Sequence, residues 1–182
     1  MKISNAAAVL SLSIAAFAGS ASAALNLVTN GDFSTGTFTG WTSWGDSTNK
    51  FVTSNIAAFG QNYTGSADAS GGIYQDLATV AGQEYTVSFV VGVDYGVRDD
   101  FTAKFGSQLL LEIKDPNGQG YFMADHSFTA VAAGSTTRLE FGFMSQEGWY
   151  WFDNVSVTAT PAPGAVALLG LAGLVTGRRR RA

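Results

Sequence analysis

Large apolar side chains alternate with small or polar ones along several short stretches of this chain. Tyr85, Val87, Phe89 and Val91 recur at period two, with Thr86 and Ser88 between them. Leu139, Phe141 and Phe143 alternate in the same way with Arg138, Glu140 and Gly142. Such alternation marks a strand that buries one face and wets the other. WTSWG, KFVTS, QLLLEI, HSFTAV and WYWFDNVSV also read as strands, and NLVTNGDF predicts a short strand closed by an Asn30-Gly31 turn. GGIYQDLATVAGQEYTVSFVVGV reads as two strands joined at Ala81-Gly82, and Asp115–Gly120 as a turn-rich loop. Between Leu25 and Thr158 no stretch keeps a helical period for a useful length, and no repeat of solenoid or propeller length occurs. The pattern predicts an all-β domain, an antiparallel β-sandwich of the jelly-roll kind.

The two ends follow different rules. Lys2 precedes an alanine-rich apolar stretch, Ala6–Gly19, and Ala21-Ser22-Ala23 places small residues where a signal peptidase cleaves. At the other end, Pro161 and Pro163 precede a nearly uninterrupted apolar run from Ala165 to Thr176, followed by Gly177 and Arg178–Arg181. As a helix, the segment from Pro163 to Gly177 would span about 22 Å, short for a bilayer but extendable by its flanks. Four arginines are strongly retained on the cytoplasmic side of a bacterial membrane. The expected organisation is a signal peptide over 1–23, a β-sandwich over 24–159 and a sorting signal over 160–182. Such a protein crosses the inner membrane and is held there by its C-terminal helix, with the body outside.

Charge and cysteine content sharpen this. All 14 acidic residues lie in the body, against Lys50, Arg98, Lys104, Lys114 and Arg138, so residues 24–159 carry a net charge of −9. That surface repels phosphate backbones and argues against nucleic acid as a partner. With no cysteine in the chain, disulfides, zinc–thiolate sites and cysteine nucleophiles are excluded. About 135 residues suffice for a self-sustaining core.

Two resemblances follow from these residues. Pro161 and Pro163, the short Gly/Ala/Leu run and the arginine cluster Arg178, Arg179, Arg180 and Arg181 resemble the PEP-CTERM sorting signal of Gram-negative bacteria. That family is handled by a membrane protease-transpeptidase, exosortase, so the resemblance implies signal peptidase and an exosortase-like enzyme as partners. Ala162 stands where the family has its glutamate. The body, through NLVTNGDFSTGTFTGWT, GGIYQDLATVAGQEYTVSFVVG and WFDNVSVT, resembles the galactose-binding-like jelly roll of carbohydrate-binding modules. This implies a cell-surface or extracellular-matrix protein that binds polysaccharide, with a structural matrix component lacking a dedicated ligand as the alternative and a glycan-active enzyme as a more distant one.

The same resemblance implies a structural Ca²⁺ between the N-terminal turn and the last strand, held through oxygens at Asn30, Asp32 and Asp153, the hard donors calcium requires. Ser34 stands where such modules carry a ligand glutamate. Sugar binding needs exposed aromatic rings beside a few oriented polar groups. Trp41 matches the core tryptophan of such modules. Tyr95, among Asp94, Arg98, Asp99 and Asp100, and Trp149 with Tyr150, after Ser145–Gly148, are the candidate contacts. No catalytic residue is expected: Asp99 and Asp100 are neighbours that a strand points to opposite faces, His126 is the only histidine, and no hydrolase or phosphate-loop motif occurs.

Overall fold

The computed structural model describes residues 25–60, 71–94, 98–115 and 120–161. The expected signal peptide, Tyr95, Pro163 and the apolar run with Arg178–Arg181 lie outside these. Ten strands follow one another: β1 Thr42–Gly45, β2 Lys50–Thr53, β3 Ile56–Gly60, β4 Gly71–Ala78, β5 Glu84–Val93, β6 Asp99–Phe105, β7 Gln108–Asp115, β8 Tyr121–Val131, β9 Thr136–Ser145 and β10 Trp149–Ala159. They form two five-stranded antiparallel sheets, β1-β4-β9-β6-β7 and β2-β3-β10-β5-β8. Among the described residues no helix is long and apolar enough to cross a membrane.

The predicted alternation is what joins the sheets. Val87, Phe89, Val91 and Phe152 from one sheet and Phe101, Leu139, Phe141 and Phe143 from the other are almost fully buried. Their rings interlock across the gap: Phe59 stacks on Phe143 with centroids 4.0 Å apart, Phe141 meets Phe152 at 4.6 Å, and Phe89 meets Phe141 edge-on at 5.2 Å. Aromatic burial on this scale supplies much of the driving force for closing a sandwich without disulfides. Trp41 joins this core and donates its indole N–H to the Asn30 carbonyl at 3.1 Å.

Three features depart from the sequence pattern. NLVTNGDF is not a strand, because Asn26 Oδ1 accepts from the Val28 and Val157 N–H groups, supplying with a side chain what a backbone ladder would supply. β3 and β6 were not expected: Ala57 and Ala58 are buried without bulk, and Asp99-Asp100 obscures the period-two run Phe101, Ala103, Phe105. The strands flanking Ala81-Gly82 do not pair. β4 lies in one sheet and β5 in the other, and the arch between them is pinned by the Val80 N–H donating to the Tyr85 hydroxyl at 3.0 Å.

Candidate functional site

The outer face of the β2-β3-β10-β5-β8 sheet carries the most exposed aromatic surface. In β10, Trp149 pairs with Gly60 and Trp151 with Ala58 on one side and Gly92 on the other, while Phe51 pairs with Ala58 from β2. Large rings thus alternate with the smallest residues available. At Gly60 the space is taken: a Cβ would lie 2.8 Å from the Trp149 ring. At Gly92 a Cβ would meet the Met123 backbone nitrogen at 2.7 Å. Phe51 packs edge-on against Trp149, centroids 5.0 Å apart, and against Trp151 at 6.4 Å. Beside them opens a groove of about 480 Å³ lined by Gly92, Val93, Asp94, Phe122, Met123 and Trp151. Phe122 is 93% exposed, and Phe51 and Met123 are 42% exposed each. Rigid, half-exposed rings beside an apolar groove are the surface that the apolar faces of pyranoses require.

Further along the same face hydroxyls, a carboxylate and an amide join the lining. Val90 pairs with both Asp153 and Asp125, and Ser88 with both Ser156 and Ser127. A second depression, about 280 Å³, is lined by Ser88, Phe89, Val90, Asp125, His126, Ser127 and Asn154. Asn154, at φ 55°, stands at the bulge where the β10–β5 register shifts between Asp153 and Ser156.

The opposite outer face is a lattice of charges. Arg138 makes a bidentate pair with Asp76, at 2.8 and 3.0 Å, and lays its guanidinium 3.7 Å over the Tyr74 ring. The pair holds the Asp76 carboxyl below its ordinary range and raises Arg138. Lys104 faces Glu140 at 3.8 Å, and Lys114 reaches Glu112 at 3.2 Å and the buried Asp100 at 3.9 Å. As the strand argument predicts, Asp99 and Asp100 diverge: Asp100 shares the outer face with Lys114, whereas Asp99 pairs in register with Ser145 and Asp115.

Near the N-terminal turn, Asp32 Oδ1 accepts from the Ser34 N–H at 3.2 Å and hydroxyl at 2.9 Å, which lowers its pKa. Asp153 is different. Burial, and to a smaller extent the Asp32 charge, raises its pKa against a hydrogen bond from the Asn154 backbone, and its Oδ1 is buried without a hydrogen-bond partner among the described residues. Asn30 is spent on the loop: its amide donates to the Thr37 and Thr39 carbonyls, and its Oδ1 accepts from the Thr35 N–H. Among the described residues no group of three or more acidic or histidine side chains is positioned for a metal. The orphaned Asp153 oxygen beside a second carboxylate still suits a hard cation, whereas Asn30 has only its remaining lone pairs to offer.

Of the sequence-predicted sugar contacts, Trp149 lies on the aromatic face. Tyr150 does not: it is 0% exposed, packed on Phe101 and Phe143 inside the sandwich. Within WYW, period two sends Trp149 and Trp151 outward and Tyr150 inward, so the alternation itself carried the signal for Trp151. Phe51 and Met123 had no such signal, since their sheet neighbours come from distant segments.

The chain matches the CBM_4_9 model, described as carbohydrate binding domain, over residues 25–148. Among curated proteins none matches it. Among solved structures it is similar in fold to one described as "CBM4 structure and function", at 14% identity and TM-score 0.52, covering 73% of this chain and 99% of that one. TmCBM61, solved in complex with β-1,4-galactotriose, aligns at 14% identity and TM-score 0.52 over 75% of this chain and 99% of its own. The K3 cleaved adhesin domain of Lys-gingipain from Porphyromonas gingivalis aligns at 14% identity and TM-score 0.52 over 74% of this chain and 96% of its own. With the family model spanning most of the sandwich, from Leu25 to Gly148, this chain belongs to the carbohydrate binding domain family.

Proposed function

We propose that this chain is a non-catalytic polysaccharide-binding protein whose contact surface is the face bearing Phe51, Trp149 and Trp151. The observation that carries this is the partly exposed Trp151 lining the 480 Å³ groove, with Phe51 packed between it and Trp149, on a domain of a carbohydrate binding family. Its rings are held by flanking glycine and alanine, so little side-chain freedom is lost on stacking a sugar. Affinity electrophoresis of the full-length chain through gels containing β-1,4-galactan, xylan, a β-glucan or alginate tests it. Retardation in at least one, lost in Trp151→Ala, is the expected result. Mobility unchanged in every gel would favour the alternative, a matrix component without a dedicated ligand.

The reading includes export. It rests on the signal-peptide-like N-terminus and the Pro161/Pro163–arginine tail, and gives a bacterial cell-surface or extracellular location with exosortase-like sorting. Replacing Arg178–Arg181 with alanine is expected to alter membrane retention or maturation, followed by fractionation and terminal mass spectrometry.

A structural Ca²⁺ at Asp32 and Asp153 belongs to the same proposal, supported by the unpartnered Asp153 oxygen. Bound there, it would neutralise the two carboxylates and tie the N-terminal turn to β10.

A further inference from the structure

The exposed large apolar side chains among the described residues fall into two groups. Phe51, Phe122 and Met123 belong to the aromatic face, and the other four are Leu25, Val80, Leu109 and Val131, between 44% and 79% exposed. These four gather at one end of the sandwich, around Thr160. The Thr160 N–H donates to the Glu84 carbonyl at 2.9 Å, and its carbonyl accepts from the Gln83 side-chain amide at 2.9 Å. Glu84 pairs in register with Val131. From β7 the Gln108 amide donates to the Val131 carbonyl at 2.6 Å and accepts from its N–H at 3.4 Å, which places Leu109 next to this strand end. Val80 lies in the arch that the Gln83 N–H closes onto its carbonyl at 3.0 Å. Leu25 precedes Asn26, whose side chain is tied to Val157 near the end of β10. The turns here, Thr79–Gln83, Gly106–Gln108 and Ala132–Ser135, contain no charged residue, and Glu84 is the one charged residue among those just named.

Single exposed apolar residues are ordinary, but a neutral end that collects all those outside the aromatic face is a surface for an apolar partner. The chain itself says which. Five Cα steps separate Thr160 from Ala165, where the apolar run begins, and two of the four residues between are proline. Fully extended, those steps reach at most about 18 Å, and the headgroup layer takes up roughly 5–8 Å of that. With the run held in a bilayer, Thr160 therefore stands within roughly 13 Å of the headgroups, far less than the ~36 Å that β10 rises along its eleven residues. The alanine-rich N-terminal stretch joins the body at Leu25, at this same end. We propose that this end is a lipid-facing foot: Leu25, Val80, Leu109 and Val131 rest in the headgroup layer of the membrane that holds the C-terminal tail. The inference rests on the export reading above, not on the glycan, and adds an orientation. β10 then rises away from the membrane and the aromatic face stays open to the solvent. A neutral foot also suits anionic headgroups, which the acidic remainder of the body would be repelled by.

The absence of cysteine makes the test direct. Val80→Cys, Leu109→Cys and Val131→Cys each take one environment-sensitive fluorophore, as does Glu147→Cys, an exposed position in the turn at the far end of β10. The full-length variants are reconstituted in phosphatidylethanolamine–phosphatidylglycerol vesicles, with and without lipid brominated on the upper acyl chain, and flotation reports anchoring. The vesicles are expected to carry the chain, and the first three labels to shift to shorter wavelength and lose intensity to bromine, while the Glu147 label does neither. An anchored chain with all four labels in water overturns the foot and leaves the export reading standing. A shift of the three labels without bromine quenching, rising with protein concentration, gives the patch to a second copy and overturns the foot as well. Equal quenching of all four overturns the choice of end. A chain left out of the vesicles overturns both the anchored reading and the foot.

Discussion

The two outer faces of this sandwich are built on the same strand geometry and do opposite things with their aromatic rings. On the β1-β4-β9-β6-β7 face, Tyr74 is covered by the Arg138 guanidinium at 3.7 Å, and that guanidinium is in turn held by Asp76. Opposite, Trp149 and Trp151 face Gly60, Ala58 and Gly92 across the strands, and Phe51 packs edge-on against both rings. A ring whose face is already occupied by a cation offers nothing further to a ligand, whereas a ring propped at its edge does. The number of exposed aromatics is thus a poor guide to a binding face, and what lies on each ring is the better one.

The largest expected effect is one that abolishes the comparison. Phe141 touches rings from both sheets, and Phe141→Ala is expected to cost about 3–5 kcal/mol, enough to compromise both faces together, measured by urea denaturation. Next comes the contrast itself. Trp151→Ala is expected to reduce glycan affinity at least about tenfold with an unchanged fold, while Arg138→Ala leaves affinity unaltered. Equal losses from the two would remove the distinction between the faces.

An intermediate effect is expected where the N-terminal turn meets β10. Calcium is expected to raise the melting midpoint of the wild type and EGTA to reverse it, with neither effect in Asp153→Asn. Without the ion, the raised pKa of Asp153 means that its folded carboxylate is disfavoured. Stability from this group is full below its ordinary value near 3.8 and falls as pH rises through the higher folded value. Asp153→Asn should then melt higher than ion-free wild type at neutral pH. An unchanged midpoint on calcium addition would leave Asp32 and Asp153 as an ordinary turn residue and an ordinary strand residue.

His126 gives a smaller effect on the aromatic side. Its ring stacks on Phe89 at 5.5 Å and lies 6.3 Å from Phe128, with Nε2 buried and without a hydrogen-bond partner among the described residues. Burial lowers its pKa below 6.5, against the opposing pull of Asp125. Its contribution is full above pH 6.5 and is lost as pH falls through the lower folded value. His126→Phe is expected to flatten the melting profile between neutral and mildly acidic pH. Smallest of all, Arg138→Ala should barely move the melting midpoint, since exposed ion pairs contribute little.

Much of the fold was legible because burial of one strand face writes itself into local order. Val87–Val91 and Leu139–Phe143 each announce a strand and which side faces inward, while the WYWF run announces a strand whose large residues all look alike. The divergence of Asp99 from Asp100 was readable for the same reason, whereas Trp41 was placed in the core by the resemblance alone. Where a side chain replaces the backbone ladder, as Asn26 does, composition looks strand-like and the strand is absent. The site was less legible. Trp149 could be singled out, but Tyr150 could be assigned to the core only by extending the alternation through the run, and Phe51, Met123 and the glycines beneath the rings have no local signature at all.

What the sequence by itself determined was the class of architecture, the absence of cysteine chemistry, an acidic body, and the inward or outward sense of strands such as β5 and β9 whose large and small residues alternate. These depend on neighbours one or two positions apart, which the chain carries in its order. Only the tertiary structure decided that β4 and β5 part into different sheets, that Phe51 meets Trp149, and that Arg138 covers Tyr74 while Trp151 looks onto an open groove. Those outcomes depend on which distant strands become neighbours, a choice made by the packing of two aromatic faces against each other rather than by any one segment.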